Sequence, residues 1–210
     1  MISAHTKVAG GPPPAPGEDV SPALALVNTR LMLGGQAADL IAGASRAGAW
    51  LAARGLAPGG TPVTGAGAAR LRALRESIRG LLTARAAGRV PAAEDVAALN
   101  AALAAAPPIP ALAWDESGPR RAVQEPGNGW PRAGVLSVAL ARLADDALAL
   151  LTASGGPEPA PCGAHGCIRW FLRTHAARQW CSTRCGDRVR AARHYARHRP
   201  AQRAVRAADL

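Results

Sequence analysis

The sequence predicts a mainly α-helical protein of the α+β class: a helical N-terminal body with one short β-hairpin, then a small cysteine-bearing module ending in a basic helix. Three observations carry this. Apolar residues recur three and four apart over several long segments. All four cysteines fall in the last 49 of 210 residues. Most of the excess positive charge lies there too.

The elements follow in order. Residues 1–20, rich in Gly and Pro, read as a disordered leader. Ser21-Pro22 offers an N-cap and a proline at the first helical position, opening a helix into Ala23–Leu33. A second helix is expected from about Ser45 to Arg54, ended by Gly55. Between Thr61 and Ala87, Leu71, Leu74, Ile78, Leu81 and Leu82 mark an amphipathic helix that tolerates Gly80. Its Arg70, Arg72, Arg75 and Arg79 read as a solvated face. A fourth helix runs from Ala92 to Ala106 and stops at Pro107-Pro108. Ala111–Glu116 and Arg120–Glu125 flank Ser117-Gly118-Pro119 and suggest the hairpin. From Gly134 to Ala153, Leu136, Leu140, Leu143, Ala147, Leu150 and Leu151 share one sector, with Arg142, Asp145 and Asp146 opposite. Residues 154–161 read as a linker between a body over 21–153 and a module over 162–199, with a tail over 200–210.

Charge sharpens that division. The formal net charge is +11. Residues 1–161 hold 14 basic and 12 acidic side chains, whereas residues 162–210 hold 11 arginines against Asp187 and Asp209. Such asymmetry points to a polyanion partner for the basic end. The 51 alanines and the near-absence of lysine look like a coding bias, so the arginine preference itself carries no function. No apolar stretch has the length of a signal peptide core, and the uncharged run Val96–Trp114 is broken by prolines. A cytoplasmic protein without a membrane span is expected.

Cys162, Cys167, Cys181 and Cys185 are spaced C-x4-C-x13-C-x3-C. Two short cysteine pairs separated by a loop can supply four soft ligands to a tetrahedral zinc ion, and a reducing compartment disfavours the alternative of two disulfides. His165 and His175 read as exposed loop residues, because four thiolates complete the shell. A closed shell also leaves no open position for catalysis, and Asp187 is the only carboxylate within the module. Trp170, Phe171 and Trp180 are expected to form the module's small core rather than a base-stacking platform.

Ser182 is a sound N-cap for a helix reaching about Arg199, with Cys185 in its first turn. Arg190, Arg193 and Arg197 fall on one strip of it, and Val189, Ala192 and Ala196 on another that is expected to pack on the zinc loop. Arg184, Arg188, Arg190, Arg193, Arg197 and Arg199 are the candidate phosphate contacts.

These residues carry a resemblance. Cys-x4-Cys, then Trp170-Phe171-Leu172, Arg178-Gln179-Trp180-Cys181-Ser182 and Cys185-Gly186-Asp187-Arg188, resemble the CGNR zinc finger over roughly 162–199. Asp187 stands where that signature has Asn, and Arg173 where Asp is usual after the Phe-Leu pair. The body resembles the stress-induced transcription regulator domain that usually precedes this finger. Leu24-Ala25-Leu26-Val27-Asn28-Thr29, Asp39-Leu40, Ala49-Trp50-Leu51 and Gly55-Leu56 carry that likeness. The resemblance implies a bacterial regulator that binds double-stranded DNA, with a body that senses an effector or forms a homodimer.

The alternative class is an adaptor whose arginines meet RNA or an acidic protein. An enzyme is disfavoured: there is no Gly-rich phosphate loop, nucleophile elbow or paired histidine motif. Asn28, Asp39, Asp145 and Asp146 are the body's polar candidates for one.

Overall fold

The computed structural model describes residues 12–107, 109–124 and 134–208. Its elements run α1 (Pro22–Val27), β1 (Arg30–Leu33), β2 (Gln36–Asp39), α2 (Ala44–Ala53), α3 (Gly65–Ala86), α4 (Ala93–Ala105), β3 (Ile109–Asp115), β4 (Gly118–Gln124), α5 (Val135–Thr152), β5 (Glu158–Pro161), β6 (Trp170–Arg173) and α6 (Thr183–Ala208). The strands form three separate antiparallel pairs, β1-β2, β3-β4 and β5-β6.

The body is a helical cluster around α1. This short helix is buried on all sides: Ala23, Leu24, Ala25, Leu26 and Val27 are at most 2% exposed. An uncharged six-residue helix cannot persist alone in water. It is held because Ser21 Oγ caps Leu24 N and donates to Asp146 Oδ2 at 2.6 Å, while that same carboxylate accepts from Ala23 N at 2.8 Å. α3 and α5 pack against it with the predicted leucines, and α4 lies across both. Gly80 lets α4 approach closely: a Cβ there would meet the Asp95 carboxylate at the start of α4, which would have to turn aside.

The helix expected over Ala23–Leu33 stops at Val27 and gives way to the β1-β2 hairpin. Gly34 and Gly35, with φ of 59° and 87°, make a two-residue turn in which both central residues need positive φ. The reading of α3's arginines as a solvated face holds for Arg70 and fails for two others. Arg75 is only 3% exposed, and its side chain forms a bidentate pair with Asp39 at 2.7 and 2.8 Å. Arg79 is turned inward, as described below. Asp146 likewise faces α1 rather than solvent.

The N-terminal leader and the linker also take structure. Residues 1–11 lie outside the described residues, but Ala15 and Glu18 are buried. Pro16 O accepts a hydrogen bond from Leu172 N at 2.8 Å. Within the expected linker, Glu158–Pro161 forms β5 and pairs with Trp170–Arg173. The expected tail is helical through Ala208, because α6 continues past Arg199 and across Pro200.

Candidate metal centre and nucleic-acid interface

The module begins where β5 ends. Cys162 N donates to Arg169 O and Gly163 N to Gln179 O, both at 2.9 Å, so the first cysteine is tied to the strand after it and to the loop before Cys181. Cys167 N donates to Ala164 O, closing a tight turn that returns the second cysteine towards the first. On the other side, Ser182 Oγ caps the backbone N–H of Cys185 at 3.2 Å, the predicted N-cap. Cys185 thus sits in the first turn of α6, where its thiol faces back into the module.

The four thiol sulfurs converge to within 4.8 Å of one another. Cys167 Sγ lies 3.8 Å from Cys181 Sγ, and Cys181 Sγ lies 3.7 Å from Cys185 Sγ. A tetrahedron of thiolates at a Zn–S distance of about 2.3 Å has edges of about 3.8 Å, so the donor set fits zinc in both chemistry and spacing. Four thiols this close cannot all ionise without a cation. Hydrogen bonds from Cys167 and then Cys181 hold the Cys162 thiol far below its ordinary pKa. Its bond to Cys162 pushes Cys167 up to about 11, and Cys181 is pushed up further by the same cause. A divalent cation removes that conflict, because it stabilises every thiolate at once. His165 and His175 are exposed and outside this group.

The aromatic residues divide between two cores. Phe171, fully buried, packs with Ala15, Ala160, Ala164 and three of the cysteines, and Trp180 leans on that cluster. Trp170 faces the other way and belongs to the body's core, which corrects the expectation that all three would build the module.

That insertion is locked by polar groups, Asn28, Glu18, Arg169 and Arg79. Asn28 Oδ1 accepts from Trp170 N at 2.8 Å, and Asn28 Nδ2 donates to Trp170 O at 2.8 Å and to Glu18 Oε1 at 2.6 Å. Glu18 Oε1 also accepts from Arg169 Nη2 at 2.6 Å, with both side chains 8% exposed. Arg79 donates to Ile168 O at 2.7 Å and to Val27 O at 2.5 Å, joining module to body a second time. Burial lowers the Arg79 pKa, with Glu76 opposing that shift. The only sequence signal was a Glu and an Asn beside apolar runs; their partners in the module, Arg169 and Trp170, lie over 140 residues away.

The arginines of α6 behave oppositely. Residues 191–198 are all exposed, including Arg193 and Arg197. Arg184 and Arg188 are exposed as well, and Arg190 forms a surface pair with Asp187 at 2.5 Å while its guanidinium lies 5.9 Å from the Trp180 ring centroid. Arg199's side chain lies outside the described residues. Val189 packs on the module core, but Ala192 and Ala196 are exposed, so the expected apolar strip is one residue deep. Beyond it the helix leaves the module; α6 as a whole, 26 residues at about 1.5 Å each, is roughly 39 Å long.

Comparison with known families agrees with this architecture. The family ABATE, described as "Putative stress-induced transcription regulator", matches residues 21–154. The chain belongs to this family. The CGNR zinc finger matches residues 160–198, so the last two residues of β5 fall within its bounds. A search of curated proteins finds no match. This ABATE chain is therefore a zinc-binding regulatory protein built from a regulator-type domain and a zinc finger, neither of them an enzyme family. Of the body's four polar candidates, Asn28, Asp39 and Asp146 each make structural hydrogen bonds, and Asp145 is exposed. No helix among the described residues is long and apolar enough to cross a membrane.

Proposed function

We propose that this protein is a cytoplasmic transcription regulator that binds double-stranded DNA through α6. Cys162, Cys167, Cys181 and Cys185 hold a structural zinc ion, and Arg184, Arg188, Arg190, Arg193, Arg197 and Arg199 contact the phosphates. The observation that carries this reading is the exposed stretch 191–198 of a helix whose first turn supplies a metal ligand. Zinc fixes where the helix starts, and an arginine-bearing helix exposed over 191–198 fits a major groove about 12 Å wide.

Arginine contacts to phosphate supply affinity and register, and one or two bidentate contacts to guanine would supply sequence preference. A single finger covers little DNA, so homodimerisation raises affinity to a useful level, and the body is also where a small-molecule effector would act. Selection from a random duplex pool at two salt concentrations tests the reading. An enriched motif that survives the higher salt is expected. Retention without enrichment, or preference for single-stranded RNA, would favour the adaptor role instead.

A further inference from the structure

Leu112 and Trp114 on β3 are each 72% exposed, on a hairpin that contributes none of its described side chains to either hydrophobic core. A two-stranded ribbon is marginal by itself in water and needs another strand or a cover. Both outer edges of this one are open among the described residues, since β3 and β4 pair only with each other.

The two edges differ. The register sets Pro110 opposite Val123, Leu112 opposite Arg121 and Trp114 opposite Pro119. A proline has no N–H, so inside a ladder it occupies positions whose nitrogen faces away from the paired strand. Both prolines of the ribbon fall in this one class of pair. The bonds between β3 and β4 therefore run through the alternate pairs, such as Ala111 with Ala122 and Ala113 with Arg120. That leaves the N–H groups of Leu112 and Trp114, and the carbonyls of Pro110, Leu112 and Trp114, on the outer edge of β3. Ile109 to Trp114 carries no charge, whereas β4 carries Arg120 and Arg121.

We infer that a second copy of this chain pairs with the outer edge of β3, antiparallel about a two-fold axis at Leu112. In that register Leu112 exchanges two hydrogen bonds with its counterpart, and each Trp114 N–H donates to the Pro110 carbonyl of the other copy. Every donor on the edge is used, and none is required of a proline. The result is a four-stranded sheet with a self-complementary, isologous contact. Charge selects the same edge: copies of a chain at +11 repel, and the uncharged stretch Ile109 to Trp114 is where they approach at least cost. Pairing through β4 would bring four arginines together.

This names the strand behind the dimer in the proposed function, and it needs no DNA. Sedimentation equilibrium of the full zinc-loaded chain without DNA tests it. The wild type should be a dimer at micromolar concentrations. Leu112→Pro deletes only an outward N–H, and Leu112→Glu sets two like charges across the axis without touching the backbone; both should give monomers with zinc content unchanged. Arg121→Pro, the matching change on β4's edge, should leave the dimer intact. A monomeric wild type, a dimer that survives Leu112→Glu, or dissociation by Arg121→Pro alone would overturn the inference. A monomer that still selects DNA sinks this contact and spares the DNA reading; a dimer without DNA affinity does the reverse.

Discussion

Arginine does two opposite jobs in this protein. Inside the body and at the seam between body and finger it is a structural donor. Arg75 grips Asp39, Arg79 bridges Val27 and Ile168, Arg169 meets Glu18, and Arg85 donates to Leu151 and Ala153 carbonyls at the end of α5. On α6 the same side chain stands largely in solvent, with Asp187 beside Arg190 and the Cys185 sulfur 3.8 Å from Arg188 Nη2. The seam uses the planar, five-donor guanidinium to satisfy backbone carbonyls and buried carboxylates. α6 uses its charge. Net charge alone cannot separate these roles, and burial does.

The largest test removes the metal. Structural zinc contributes on the order of 10 kcal/mol to folding of small modules, comparable with the whole stability of a typical domain. Because Trp170 sits in the body's core, chelation should disturb the body as well as the finger. Hydrogen exchange is expected to accelerate in β6 and also in α1, whose Asn28 cap holds the Trp170 backbone. Loss of protection confined to residues after Pro161 would mean the two regions are independent.

Next comes the seam itself. Glu18→Ala leaves Arg169 as a buried cation without its carboxylate and removes an acceptor from Asn28. Breaking a buried pair from one side costs about 3–5 kcal/mol. Denaturant unfolding of the zinc-loaded protein should show a loss in that range; a loss below about 1 kcal/mol, the worth of an exposed pair, would place Glu18 with the surface residues.

The triple change Arg190, Arg193 and Arg197 to Ala is the counterpart on α6. Exposed substitutions of this kind alter stability by about 0.5 kcal/mol or less each. DNA affinity should nevertheless fall, and the slope of log K against log salt should flatten by about 0.9 for each phosphate no longer neutralised. Equal damage to stability and binding would erase the contrast between the two regions.

The uneven legibility of these regions in the sequence has a physical cause. Helical periodicity and cysteine spacing are local, and the core stripes of α3 and α5, the Ser21 and Ser182 caps and the gathering of four cysteines were readable from them. The end of α1 was missed although Gly34-Gly35 between apolar runs is a hairpin signal, because Ala, Leu and Met nearby favour helix. The seam was not readable at all. By periodicity Arg75 borders the apolar stripe of α3, four residues after Leu71, and Arg79 lies off it; only the chain crossing above them, with Asp39 and the Ile168 carbonyl, makes that flank an interior. Glu18 pairs with a residue 151 positions away, and no local pattern encodes that distance.

The smallest effect is a pH dependence, and it separates the roles once more. Burial raises the cost of charging Asp39, but hydrogen bonds from Arg75 and the Ile41 N–H, with the charges of Arg75 and Arg72, outweigh it, so its pKa lies below the ordinary 3.8. A carboxyl whose folded pKa is depressed binds fewer protons folded than unfolded. Its stabilisation is therefore complete above its unfolded pKa of about 3.9 and is lost as pH falls through the lower, folded value. Asp39→Asn should be less stable than wild type near neutrality, and the gap should narrow under acid. Asp115 is also depressed, by Ser117 and Arg120, but at the exposed hairpin turn. Asp115→Asn should thus give a much smaller gap in urea midpoints at any pH. A gap for Asp39→Asn that stays constant from about pH 7 to below pH 3 would mean that Arg75 is held by packing and Thr29 rather than by the Asp39 charge.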